Sequence, residues 1–321
     1  MEEMADTETP TATTPVTDSV PASSTLPAAP TPMPSIEQLQ ARLTDTVLTF
    51  RGYNVANLGR TAELLQVARY RDIVGDYLHR GSAICREVTG KPADLLQRVE
   101  QQRETSLATY HEAIALIVSV SLAHLEILRE VHQLDISKVR MVYGFSLGEI
   151  TALVAGGVLT MENALRIPIA LADDSVALAH DVTLGVLFSR TEKISLEAVS
   201  RLCQDINLAG DGVIGVSAHL APNSMLLIGQ RDTLDRFAKR RDELTSDRTF
   251  IRKNDHRWPP LHTPIVWERQ IPNRAQYLMH TMPCVFDPPT PKILSLVTGD
   301  FSYHGSNTRD LIGKWVDHPQ R

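Results

Sequence analysis

One stretch of this sequence carries residue types spaced for chemistry. In Val139-Arg140-Met141-Val142-Tyr143-Gly144-Phe145-Ser146-Leu147-Gly148-Glu149-Ile150, an apolar run leads into Gly-x-Ser-x-Gly and then into helix-forming residues. That order is what a nucleophile elbow requires, with Ser146 exposed on a sharp turn as the attacking group. Gly144 and Gly148 suit it because a Cβ at either position would crowd neighbouring backbone. The N-terminal amides of the following helix would face whatever Ser146 attacks. Gly-x-Ser-x-Gly also occurs by chance, so the strand before it and the helix after it carry the assignment. A serine hydroxyl is a poor nucleophile at neutral pH and needs a base within hydrogen-bond reach. Trp258-Pro259-Pro260-Leu261-His262-Thr263-Pro264 presents one histidine between prolines, which hold its backbone at a set position. A surface histidine capping a turn is the other use of such a residue.

The elements that must position these groups follow from periodicity. Ser35 and Gln38 make a capping-box pattern ahead of Ile36, Leu39 and Leu43. A strand is expected over Val47 to Phe50, followed by the loop from Arg51 to Gly59, whose glycines and asparagines tolerate positive φ. Helices are expected from Thr61 to about Glu87, Pro92 to Gln102 and Tyr110 to Val131, the last so apolar that it must be central. The elbow strand and its helix reach about Gly156, and a further helix runs from Met161 to about Ala179. Strand and helix in this order predict an α/β fold with a largely parallel sheet covered by helices on both faces. From Thr183 to Arg252 the order becomes βαββαβ, the pattern of a ferredoxin-like unit. After the His262 loop, a helix to about Met279, a returning strand over Lys292 to Val297 and a last helix over Thr308 to Val316 are expected.

This gives three segments: a tail at 1–34, a large domain at 35–182 and 253–321, and a small domain at 183–252. The tail holds seven prolines and no Lys or Arg. It is expected to be disordered, because it cannot bury enough apolar surface to offset its ordering entropy. It also lacks the basic residues of a secretory or mitochondrial leader, so a cytoplasmic location is expected. With 43% hydrophobic and 22% charged residues over 321 positions, the chain can bury a sizeable core. A net charge of -6 gives no footing for nucleic acid or an anionic membrane. Cys85, Cys203 and Cys284 lie far apart without C-x-x-C spacing, which argues against a disulfide framework and a zinc site. The longest apolar run, Ala113 to Leu122, is too short to span a bilayer.

The elbow Gly144-Phe145-Ser146-Leu147-Gly148-Glu149, the following helix with Ala152-Leu153 and Gly157, the inserted small domain and the Leu261-His262-Thr263-Pro264 loop resemble malonyl-CoA:acyl-carrier-protein transacylases and related acyltransferase domains. The resemblance covers roughly residues 46 to 319. It implies an α/β-hydrolase-like large domain and ping-pong acyl transfer in fatty-acid or polyketide synthesis. Ser146 would attack an acyl-CoA thioester, with His262 as general base and then general acid, and a backbone carbonyl near Trp315 would orient His262. An acyl carrier protein would accept the group on its phosphopantetheine thiol. Acyl-CoA is then a substrate, no cofactor is held permanently, and a monomer is expected. The implied oxyanion donors are the amides of Leu147 and of Ala56. The implied acyl pocket takes in Phe145, Leu171, Leu261, Gly52 and Tyr53.

The sequence departs from the family pattern at three places. Phe145 replaces the histidine that usually precedes the nucleophile, and Gly52-Tyr53-Asn54-Val55-Ala56 replaces Gly-Gln-Gly-Ser-Gln. Leu171 stands where an arginine for the malonyl carboxylate is expected. Arg51 or Arg60 could supply the missing cation, whereas Arg166 should point elsewhere. The C-terminal part is also shorter than the family's, which normally closes the sheet with a few dozen more residues. Two other readings remain open. A serine esterase or thioesterase would need an acid such as Asp211, Asp235 or Asp255, and a non-catalytic relative would only dock a carrier protein or synthase.

Overall fold

The computed structural model describes residues 35–244, 248–285, 287–305 and 308–321. The expectation for the tail at 1–34 lies outside them. A short helix, α1 (Ile36–Ala41), leads to strand β1 (Val47–Phe50). The helical stretch after it forms in two pieces, α2 (Thr61–Gln66) and α3 (Ala68–Thr89), because Val67 turns extended between them. Gly90 closes α3 at φ 67°, a left-handed cap that glycine adopts without a Cβ penalty. In α4 (Leu95–Glu100), the Asp94 carboxylate accepts from the Gln97 N–H as an N-cap.

The central helix is α5 (Tyr110–Glu126), in which every residue from Tyr110 to Ser119 is buried; it runs on through a wider π turn to Val131. It packs on α3 and on three of the helices that follow, and its buried Glu112 meets Arg98 of α4 at 2.8 Å. Next come β2 (Met141–Gly144), α6 (Leu147–Ala155), α7 (Met161–Ala170) and α8 (Ala172–Ala177). The single helix expected from Met161 onward thus breaks at Leu171. β1 and β2 pair in parallel, Val47 opposite Met141 through Phe50 opposite Gly144. This pairing sets the loop after β1 beside the elbow after β2.

The chain then forms β3 (Val182–Ser189), α9 (Leu196–Leu208), β4 (Ile214–Ala221), β5 (Ser224–Gln230), α10 (Thr233–Arg240) and β6 (Thr249–Lys253). These strands make one antiparallel sheet in the order β4-β5-β3-β6. Apolar faces of α9 and α10 close a core of their own with Leu187, Leu202, Leu227 and Phe237. The last helices are α11 (Ile271–Thr281) and α12 (Thr308–Lys314), which pack together.

The fold is mixed α/β, but a largely parallel sheet is not what the described residues form. Among the described residues, strands of the large body are limited to β1 and β2, with one further parallel bridge from Val142 to Ile293. The strand expected over Lys292 to Val297 stops there because the chain turns back. Gly299 N–H donates to the Ser295 carbonyl, and Ser295 N–H donates to that of Asp300. Among the described residues no helix is long and apolar enough to cross a membrane.

Candidate active site

β2 ends at Gly144, and the chain reverses into α6 within two residues. A Cβ on Gly144 would lie 1.9 Å from the Gly148 carbonyl carbon, and one on Gly148 would lie 2.1 Å from the Phe50 carbonyl oxygen. Both approaches are backbone on backbone, so no side-chain movement could relieve them. Ser146 between them takes φ 52° and ψ −118°, a conformation L-residues rarely adopt. Its carbonyl accepts from the Trp315 indole N–H at 3.0 Å and from the Glu149 N–H at 2.8 Å, which hold the turn.

The Ser146 hydroxyl lies 2.8 Å from His262 Nε2. His262 is buried, also at positive φ (65°), and its N–H donates to the Val316 carbonyl at 2.7 Å. Its Nδ1 lies 2.8 Å from the Trp315 carbonyl oxygen. A carbonyl can only accept, so Nδ1 carries the proton and Nε2 keeps its lone pair toward the serine. The loop is held from two sides: Thr263 Oγ1 donates to the Pro260 carbonyl, and Ser217 Oγ of β4 donates to that of Leu261. Burial pulls the imidazole down from 6.5 to about 4, against the upward pull of the Trp315 and His318 backbone and of Asp317. Near neutral pH, His262 is therefore unprotonated, with the Nε2 lone pair toward the Ser146 hydroxyl.

No protein-family model and no curated protein matches the sequence. Solved structures match its fold. FabD from Acinetobacter baumannii superposes with a TM-score of 0.69 at 16% identity, over 87% of this chain and 81% of that one. An acyl carrier protein S-malonyltransferase from Vibrio cholerae gives 0.67 at 18% identity, over 86% and 82%. The malonyl CoA-acyl carrier protein transacylase from Coxiella burnetii gives 0.66 at 17% identity, over 86% and 80%. The fold is that of the malonyl-CoA:acyl carrier protein transacylases.

Within this transacylase fold, the residues expected at the site separate into two groups. Leu147, Leu171 and Leu261 line a small cavity beside Ser146, together with Tyr110, Ile114 and Val316. Leu147 opens α6, so its N–H belongs to the first turn, whose amides have no partner within the helix. Phe145 does not line this cavity: it is 38% exposed, because the residue before the nucleophile sits on the outer side of the turn. Gly52 lies against Ser146, where its Cβ would be 3.4 Å from Ser146 Cβ and 2.7 Å from the Phe145 carbonyl oxygen. Tyr53 stands one layer back, its ring edge-on to Tyr110 at 4.9 Å and to Trp258 at 5.7 Å.

Ala56, expected as the second oxyanion donor, does not line that cavity. It is exposed, in a loop stitched to itself: the Arg51 guanidinium donates to the Ala56 carbonyl and to Asn57 Oδ1, both at 2.9 Å. The loop backbone that comes up against Ser146 is that of Gly52, four residues earlier. Arg51 and Arg60 face a groove of about 720 Å³ along β1, separate from the Ser146 cavity. Arg60 is there in an exposed pair with Glu63, and Arg166 pairs with Glu87. None of these three arginines lines the Ser146 cavity.

Two features of the site were not legible in the sequence: the place of Gln320, and the burial of the elbow's Glu149. Gln320 is buried, and its Oε1 accepts from the Ser146 N–H at 3.2 Å while its Nε2 lies 3.5 Å from His262 Nδ1. Its backbone bonds to Ser217 and His219 of β4, which tie it to the small sheet. Glu149, fully buried, accepts from Ser295 Oγ at 2.7 Å and Tyr303 Oη at 2.6 Å, leaving Oε2 without a partner among the described residues. Burial raises its carboxyl from 4.5 to about 7, against those hydrogen bonds. The esterase alternative loses its acid. Asp211 and Asp235 lie in ion pairs with Arg231 and Lys253, Asp255 is exposed, and the Trp315 carbonyl occupies Nδ1 of His262.

Proposed function

We propose that this chain moves an acyl group from a coenzyme A thioester to the thiol of an acyl carrier protein through an acyl-serine at Ser146. The observation that carries the reading is the 2.8 Å contact between Ser146 Oγ and His262 Nε2, with Nδ1 held by a backbone carbonyl. His262 takes the hydroxyl proton as Oγ attacks the thioester carbonyl. The negative charge that forms on the carbonyl oxygen meets the Leu147 N–H and the N–H that follows Gly52, on Tyr53. One such donor contributes on the order of 10² to 10³ in rate. The intermediate collapses by expelling the coenzyme A sulfur, which receives the proton from His262. The carrier thiol then repeats the sequence in reverse, leaving Ser146 free.

The fold of the transacylases supports this reading. A solved structure with the same fold, TM-score 0.65 at 17% identity, is a malonyl-transacylase in complex with a type II polyketide acyl-carrier protein. In this reading β3 to β6 with α9 and α10 form a ferredoxin-like lobe. The protein acts as a cytoplasmic monomer in fatty-acid or polyketide synthesis, with coenzyme A entering only as substrate. Intact mass after incubation with a panel of acyl-CoAs tests it. A covalent acyl adduct is expected on the unaltered chain and none on Ser146→Ala. No adduct from any thioester refutes the reading.

A further inference from the structure

We propose that the acyl group this site accepts is short and uncharged, acetyl above all, and that malonyl and other carboxylate-bearing groups are poor substrates. This rests on the acyl-serine reading above. The cavity beside Ser146 has a volume of about 10 Å³. That is room for about one water-sized group, the size of the acetyl methyl. Its wall is apolar where an acyl chain would enter, with Ile114, Pro168, Leu171, Leu261 and Ile271 all facing it. Leu171, 2% exposed, fills the position where α7 gives way to α8.

Two of the polar side chains in the wall are spent on backbone. Ser175 Oγ donates to the Leu171 carbonyl at 2.8 Å, and the Trp315 indole donates to that of Ser146. Among the described residues, no cationic side chain lines the cavity. The three arginines that could be considered are held elsewhere, Arg51 by its own loop, Arg60 by Glu63 and Arg166 by Glu87. A carboxylate carried in on an acyl group would lose its water and find no opposite charge, the arrangement that buried ions least tolerate. One charge-assisted hydrogen bond forgone corresponds to about tenfold to a hundredfold in selectivity.

The test is time-resolved intact mass of the full chain with acetyl-, octanoyl- and malonyl-CoA at equal concentration, repeated on Leu171→Arg and Leu171→Gln. In the unaltered chain, acetyl should acylate Ser146 at least about tenfold faster than malonyl and faster than octanoyl. Leu171→Arg should raise the malonyl-to-acetyl ratio, and Leu171→Gln, polar but uncharged, should not. Malonyl transfer as fast as acetyl in the unaltered chain overturns this inference and leaves the acyl-serine reading standing. No adduct from any of the three thioesters overturns the acyl-serine reading itself. The comparison in the unaltered chain decides even where a variant fails to fold.

Discussion

Gln320→Glu should move the acid limb of the acylation profile toward neutral pH. In the native site two hydrogen-bond donors abut: His262 Nδ1–H, committed to the Trp315 carbonyl, and the Gln320 amide nitrogen 3.5 Å away. Such a neighbour offers nothing to the imidazolium, and burial holds its titration at about 4. Glutamate keeps the shape and can still accept from the Ser146 N–H, but replaces that donor with a carboxylate oxygen. Opposite charges about 4 Å apart interact by about 4 kcal/mol at an effective dielectric of about 20. Desolvation of the new carboxylate offsets part of this, leaving a rise of about 1–3 pH units in the His262 titration. His262 must be neutral to accept the serine proton, so activity lost below about pH 4 in the native chain should be lost below about pH 5–7 in the variant. The measurement is the burst rate with a p-nitrophenyl ester across the acid and neutral range. Gln320→Leu, which removes both polar atoms, should slow the burst without moving its inflection. Coincident inflections for Gln320→Glu and the native chain would refute the placement of Gln320 at the base.

Glu149 and His262 make opposite contributions to stability. Glu149 titrates higher in the folded state, so its contribution is complete below pH 4.5 and is lost as pH rises through about 7. His262 titrates lower when folded, so its contribution is complete above 6.5 and is lost as pH falls through about 4. Glu149→Gln should raise urea stability at alkaline pH by as much as about 3 kcal/mol and leave it unchanged near pH 4; an equal change at both would count against a buried, protonated Glu149. Gly148→Ala drives a Cβ into the Phe50 and Arg51 carbonyl oxygens at 2.1 and 2.9 Å. It should cost about 3 kcal/mol or more, seen as a lowered denaturation midpoint, and a native-like midpoint would show that the elbow is looser than described.

What the sequence determined by itself was local. Gly144, Ser146 and Gly148 define a turn that few other residues could make, since the backbone constraint lies within five positions. Prolines on either side of His262 fixed a loop, and apolar runs marked β1 to β6 and the long buried α5. The resemblance to acyltransferases joined Ser146 to His262. Tertiary structure decided everything that depends on which distant backbone approaches which. The loop residue at the nucleophile is Gly52 rather than Ala56, because parallel pairing of β1 with β2 brings its first residues, not its later ones, to the elbow. Arg51 was free to be a ligand on paper but is consumed by its own loop, since the Ala56 carbonyl and Asn57 come within its reach once the loop closes. Gln320 carries no motif. It lies at the dyad because a parallel bridge to Ala218 of β4 holds its backbone there, a contact between positions about a hundred residues apart that no local pattern encodes.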